Sequence, residues 1–385
     1  MPGKQQQENS SDSNKFLEEG NPQRGLVEDW YQGYRRYALS IAYRMLGTVE
    51  DAEDVVQDCF AELQQKPGTD ILNPKSYVAK MTVNRCLNLL NTARRQRETY
   101  IGEWLPEPLP GSGPGAGSGS RPVSPGYAGA AAASLHHSAL SDGSSPEGPE
   151  DAAEQKDMIS YAFLVLLERL NPLERAIFIL REAFRYSYKE IAEMLGKTES
   201  NCRQIYSRAR KSLSAGGFHP EDQYALPPGE DLDRRHLLER FTEAFLAHDT
   251  ETLLALLAEQ PVFISDGGGS VHTVLRPMKG RKGVLALLSS PRIFRALREA
   301  EVFFLPINGE LHLVFRERER DQDPDRDPHQ DQHQDRHLDN GQVSAVLCLA
   351  LSQDQKQIQN LYLIVNPQKL KRISHFLVDG GPRDQ

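Results

Sequence analysis

The chain of 385 residues has only four cysteines, Cys59, Cys86, Cys202 and Cys348, scattered along its length. That number and spacing exclude a disulfide scaffold and the paired ligands of a zinc site. All four fall in apolar stretches, which predicts buried thiols in a reducing compartment. Long apolar runs are missing as well. No stretch reaches the roughly 20 residues that span a bilayer. The opening "MPGKQQQENSSDSNKFLEEG" lacks the apolar core of a secretory signal. The expectation is a cytoplasmic chain with no membrane partner. Hydrophobic residues make up 38%, a low share that predicts some length outside any core. No internal repeat is visible, and no cofactor or metal is expected.

What is present is unevenly distributed. The 29 glycines and 24 prolines cluster, above all in "PGSGPGAGSGSRPVSPGYAGAAAASLHHSALSDGSSPEGPE". Such a stretch buries too little surface to offset the entropy of ordering it. The chain also exceeds what one core ordinarily supports. The division expected is a disordered terminus over 1–25, a helical domain over 26–109, a flexible tether over 110–150, a second helical domain over 151–216, a short link over 217–230, and an α+β domain over 231–376. That last block opens with "LDRRHLLERFTEAFLAH" and continues in runs of strand length and type: "PVFISD", "EVFFLPI", "ELHLVF", "VSAVLCLAL" and "NLYLIV". A polar insertion at 319–341 reads as a disordered hairpin loop. In it His329, His333 and His337 are spaced four apart, but Pro328 and the polar surroundings favour disorder over a metal site.

Charge is segregated too. The formal net charge is −9, yet "KSYVAKMTVNRCLNLLNTARRQR" (75–97) holds six Lys and Arg and no acid, whereas "VEDAEDVVQDCFAE" (49–62) holds six acids and no base. Thr48 and Asp51 mark a helix start after Gly47. On the acidic helix Val55, Val56, Cys59, Phe60 and Leu63 form an inner stripe that leaves Asp51, Asp54, Asp58 and Glu62 outward. On the basic helix Asn84 and Asn88 share one side. Asn offers a donor and an acceptor at its tip, as base reading requires, while Lys and Arg serve phosphates.

The second helical block carries the clearest motif. In "NPLERAIFILREAF" Asn171 caps a helix, Pro172 suits its first turn and Glu174 favours the dipole. Two helices joined by a short turn follow in "YSYKEIAEMLGKTESNCRQIYSRARKSL". Ser187 and Glu190 form a capping box, Gly196 stops the first helix and Thr198 caps the second. Cys202, Ile205, Tyr206, Ala209 and Leu213 face a core at helical spacing. Arg203, Gln204, Ser207 and Arg208 then point outward, with Arg210 and Lys211 placed for phosphate, as a recognition helix needs.

Together these stretches resemble the extracytoplasmic-function (ECF) sigma factors of bacterial RNA polymerase. "YRRYALSIAYRMLGTVEDAEDVVQDCFAEL" with the basic helix resembles sigma region 2, and "LNPLERAIFILREAFRYSYKEIAEMLGKTESNCRQIYSRARKSL" resembles region 4. The block after residue 230 looks like a SnoaL-like, NTF2-type cone, and "WLPEP", "DGGG" and "NPQKL" are similar to signatures of one group carrying it. The resemblance implies a multidomain fold of two all-α helical domains plus a C-terminal α+β cone. It implies core RNA polymerase and promoter DNA as partners, with Asp51, Asp54, Gln57 and Asp58 on polymerase. Lys80, Asn84, Arg85, Asn88, Arg94, Arg95 and Arg97 go to the −10 element, with residues 66–76 forming a base pocket. Thr198, Ser200, Arg203, Gln204, Ser207, Arg208 and Lys211 go to the −35 element. The cone would act as a built-in regulator, so that no separate anti-sigma factor is required, and Asp266, Gly267, Gly268 and Gly269 would be its regulatory motif. A small-molecule ligand of the cone stays open. So do two other readings: a stand-alone helix-turn-helix regulator, and an isomerase-like enzyme using Asp266 and His272, against which "DGGG" reads as a glycine turn and His272 as a structural strand residue.

Overall fold

The computed structural model describes residues 22–65, 71–97, 100–111, 159–215, 230–318, 342–352 and 354–378. The expected terminal segment, most of the tether, the link at 217–229 and the insertion with its three histidines therefore lie outside the described residues. The chain divides into two compact units, Met1–Asn88 and Leu89–Gln385.

The first unit is built from α1 (Pro22–Leu46), α2 (Val49–Gln65) and α3 (Pro74–Arg97), the last running on across the boundary. Gly47, at φ +76°, closes α1 through its N–H to Tyr43 O (2.8 Å), and the Thr48 hydroxyl donates to the Asp51 carboxylate as α2 begins. The inner stripe of α2 is buried as its spacing predicts: Val55, Val56, Cys59, Phe60 and Leu63, with Ala52. Ile41, Ala42 and Met45 of α1 and Val78, Ala79 and Val83 of α3 are buried too, and Cys59 Sγ of α2 lies 4.0 Å from Thr82 Oγ1 of α3. Burying each large apolar side chain contributes roughly 1.5–3 kcal/mol.

In the second unit, among the described residues after α3, four helices come first: α4 (Tyr161–Leu167), α5 (Pro172–Glu182), α6 (Tyr188–Leu195) and α7 (Glu199–Ser214). The caps read from sequence are all present. Asn171–Glu174 and Ser187–Glu190 are complete capping boxes, Gly196 is left-handed at φ +62°, and Thr198 Oγ1 accepts from Asn201 N.

The α+β block follows with α8 (Glu230–Leu246), α9 (Thr250–Leu256), β1 (Leu257–Asp266), β2 (Met278–Lys279), α10 (Arg281–Leu288), α11 (Arg295–Glu299), β3 (Glu301–Ile307), β4 (Glu310–Arg316), β5 (Val343–Leu351), β6 (Ile358–Ile364) and α12 (Pro367–Val378). Among the described residues its six strands form one sheet in the order β2, β1, β6, β5, β4, β3, antiparallel except where β1 runs parallel to β6. Strand alternation sends Leu313, Phe315, Ala345, Leu347, Leu361 and Leu363 to a face covered by α8 to α11, and Val314, Val346, Cys348, Tyr362 and Ile364 to the other. Val343 joins the second face, against the parity of its strand, because a register shift between Phe315 and Arg316 adds a residue there. On the first face Phe245 meets Phe294 (5.6 Å) and Phe315 (6.4 Å), and Phe263 meets Phe294 (6.0 Å).

The second face shows what periodicity did not. It is covered by Leu105, by Tyr161 of α4 and by Leu370 and Ile373 of α12. Residues 100–109, which the sequence placed with the first helical domain, pack on the C-terminal sheet instead. They are short, proline-rich and without periodicity, so nothing local states which surface they join. All four cysteines are free and buried. Among the described residues no helix is long and apolar enough to cross a membrane.

Candidate nucleic-acid interface

On α2 the outward residues Asp51, Asp54, Gln57 and Asp58 are exposed, and Glu62 is half-buried. On α3 Lys80 and Asn88 are exposed and Asn84 is half-buried, one turn apart from Asn88 on the same side. Arg85 is different. Its guanidinium donates to Asp58 Oδ2 (3.1 Å) and Glu62 Oε2 (2.8 Å), so it ties the basic helix to the acidic one. Helix α3 reaches Arg97, but the side chains of Arg94, Arg95 and Arg97 lie outside the described residues, as does 66–70 of the pocket loop. Of that loop, Leu72 is 98% exposed, and Asn73 Oδ1 accepts from Ser76 N (3.0 Å) to cap α3 ahead of Pro74. The same Asn-Pro start recurs at Asn171-Pro172 and Asn366-Pro367, and in sequence Asn21 precedes Pro22 of α1, so one dipeptide stands at the start of four helices.

Helix α7 presents the face expected of it. Cys202, Ile205, Ala209 and Leu213 are buried, while Ser200, Arg203, Gln204, Ser207, Arg208, Arg210 and Lys211 are exposed. Tyr206, expected in the core, is half-buried: its ring stacks on Phe178 (5.9 Å) and its hydroxyl meets Glu182. Burial and that carboxylate push its phenol up. Arg203 is paired with Glu199 at 2.6 Å.

The three signature stretches, far apart in sequence, meet at one point. Asp266, fully buried, accepts from Tyr100 Oη (2.5 Å), Leu105 N (2.9 Å), Gly268 N (2.9 Å) and Lys369 Nζ (2.6 Å). Lys369 Nζ also donates to Leu105 O and lies 4.2 Å from the Trp104 ring centroid. Asn366 Nδ2 donates to Tyr100 Oη (3.3 Å), and Tyr161 Oη to Pro106 O (2.7 Å). Farther along, Asn308 exchanges hydrogen bonds with Leu109 in both directions (2.8 and 3.0 Å), and Gly111 N donates to Pro306 O (3.2 Å). The glycines after Asp266 do form a turn. Gly268 and Gly269 are at φ +63° and +74°, and a Cβ on Gly267 would stand 2.2 Å from Val271 O. His272 is exposed in the loop after β1 rather than on a strand, while Asp266 is fully buried with Tyr100 and Leu105 donating to it, so the two candidate groups stand in different environments. Lys369 was missed in sequence. The signal was a lysine in the apolar stripe of α12, beside Leu370 and Ile373, where only a carboxylate partner makes burial tolerable.

Comparison with known proteins accords with this geometry. The Sigma-70 region 2 family matches residues 30–96, and the family Sigma-70, region 4 matches residues 160–213. The chain is 32% identical over 288 residues to the ECF RNA polymerase sigma factor SigJ of Mycobacterium tuberculosis, covering 73% of this chain and 78% of that protein. It is 29% identical over 229 residues to the probable ECF RNA polymerase sigma factor SigI of Mycobacterium tuberculosis, covering 59% and 65%. Its fold is similar to the crystal structure of Mycobacterium tuberculosis SigJ, with a TM-score of 0.59 at 24% identity over 93% of this chain and all of that one. The chain therefore belongs to the extracytoplasmic-function sigma factors of RNA polymerase, which direct transcription initiation.

Proposed function

We propose that this sigma factor divides its work among three surfaces. Asp51, Asp54, Gln57 and Asp58 dock on core RNA polymerase; Lys80, Asn84 and Asn88, with Arg94, Arg95 and Arg97, engage the −10 element; and Thr198, Ser200, Arg203, Gln204, Ser207, Arg208 and Lys211 engage the −35 element. The observation that carries this is the exposed polar face of α7 set on a buried apolar one, capped at Thr198. Arg and Gln on such a face suit the guanine and adenine edges of the major groove. The separated acidic and basic faces of α2 and α3 suit two different macromolecules. Each DNA-reading module alone binds weakly, and linkage on one chain raises the effective concentration of the second. The protein works where polymerase does, in the cytoplasm.

The C-terminal block is the regulator in this reading, in place of a separate anti-sigma factor and without catalysis of its own. Its support is the grip of Asp266 and Lys369 on Leu105, in the stretch joining the two sigma regions. Holding that stretch restrains the chain that links the two readers.

The test is reconstitution with core polymerase. Asn84→Ala is expected to lower initiation at the cognate promoter with polymerase affinity retained, and Asp54→Lys to weaken polymerase binding itself. Loss of both properties in Asn84→Ala would make Asn84 structural; unaltered core affinity in Asp54→Lys would remove the docking face.

A further inference from the structure

Two guanidinium groups lie over the ring of Tyr188, the first residue of α6: Arg181 of α5 at 4.8 Å from its centroid and Arg203 of α7 at 5.0 Å. Arg181 is itself fixed, donating from Nη1 to Tyr186 O at 2.9 Å. Tyr206 sets its ring edge-on against Tyr188 (5.7 Å, 69°) and stacks on Phe178 (5.9 Å, 15°), which is fully buried. A column of rings thus runs from the helical core out to Arg203. On its own helix Arg203 is tied to Glu199 by a 2.6 Å contact from Nη2. With these restraints its side chain is still 62% exposed.

From this geometry we infer that Tyr188 is a positioning residue for promoter recognition: its ring presets the Arg203 guanidinium toward one base pair of the −35 element, while Glu199 orients its plane. The inference rests on reading α7 as the DNA-contacting helix. A long arginine side chain gives up rotamer freedom when it grips a base, and one already held gives up less. An aromatic face holds the cation without occupying its N–H groups, which a second carboxylate would do. Only Nη2 is engaged by Glu199, so the other donors stay available for a bidentate grip on guanine.

The test uses the full chain assembled with core RNA polymerase and a promoter panel in which each base pair of the −35 element is changed in turn. Arg203→Ala is expected to flatten the preference at one position by roughly 5- to 150-fold. Tyr188→Phe keeps the π face and should keep the preference. A trifluorinated phenylalanine at 188, which has the same shape but a depleted ring face, should lower the preference at that same position by about two- to fivefold, with the other positions and thermal unfolding unchanged. Tyr188→Met, with similar bulk and no π face, must reproduce that loss. If Arg203→Ala flattens one position while the fluorinated and Met variants keep it in full, the positioning role is overturned and the reading of α7 stands. If Arg203→Ala alters no position, the reading at this residue fails and the inference goes with it.

Discussion

Lys369 Nζ lies 2.6 Å from Asp266 Oδ2 with the two side chains 8% and 0% exposed, and together they hold both polar groups of the Leu105 peptide. The carboxylate takes the N–H and the ammonium takes the carbonyl. A backbone stretch without regular structure can be buried only if its polar groups find such partners. Two opposite charges in one place supply a donor and an acceptor, and each offsets the burial of the other.

Removing one partner should therefore leave the other charge buried without its counter-charge. Lys369→Met is expected to destabilise the C-terminal unit by about 3–5 kcal/mol, and to open residues 100–111 to protease. Adding Asp266→Asn should give less than the sum, as read by thermal unfolding of the two single variants and the double. Additive losses would mean that the two charges act apart. Promoter output should also change; output unaltered with the segment released would disconnect the grip from regulation.

The glycine turn predicts a contrast between two positions. Gly267→Ala would drive a Cβ to 2.2 Å from Val271 O, and the strained turn should cost about 1–3 kcal/mol in denaturant unfolding. At Gly33, inside α1, an added Cβ would meet nothing within 4 Å, so Gly33→Ala should stabilise by roughly 0.5–1 kcal/mol. Equal effects at the two sites would contradict the crowding described.

Arg85 offers a third check. Its partners Asp58 and Glu62 are 70% and 37% exposed, and solvent screens such pairs. A double-mutant cycle of Arg85→Ala with Asp58→Ala should give a coupling below about 1 kcal/mol, falling with salt. Polymerase affinity of Arg85→Ala is expected to change less than that of Asp54→Lys. A large, salt-independent coupling would mean the pair is a buried structural bond.

Acid should loosen the sheet through His312. Its Nδ1 accepts from Leu349 N (3.2 Å) and faces Arg234 Nη2 (3.2 Å), so the neutral ring is the form that fits. Burial first, and Arg234 second, hold its pKa well below the usual histidine range, outweighing Glu310 at 3.8 Å from Nε2. The unfolded chain takes up a proton below about pH 6.5 and the fold does not, so stability is retained above that value and lost as pH falls through it. The slope of melting temperature between pH 7.5 and 5.5 should be shallower in His312→Asn than in the parent chain. Identical slopes would assign acid sensitivity to other groups.

Which parts of this protein were open to a reader of residues alone follows from the range of the forces involved. Caps, left-handed glycines and amphipathic stripes are local: Asn171 acts on Glu174 N, Ser187 on Glu190 N, and Gly196 needs only its own torsion. The inward and outward faces of α2 and α7 follow from a period of 3.6, and the five long strands from their branched and aromatic content. Other features depend on residues that chain order keeps apart. That Arg85 turns to Asp58, that Tyr188 lies under Arg203, and that Asp266, Leu105 and Lys369 share one set of hydrogen bonds are consequences of packing across 27, 15 and more than 100 positions. A hydrogen bond or ion pair has no periodicity to announce it, and a buried lysine looks like any surface lysine until the opposite wall of the core is in place.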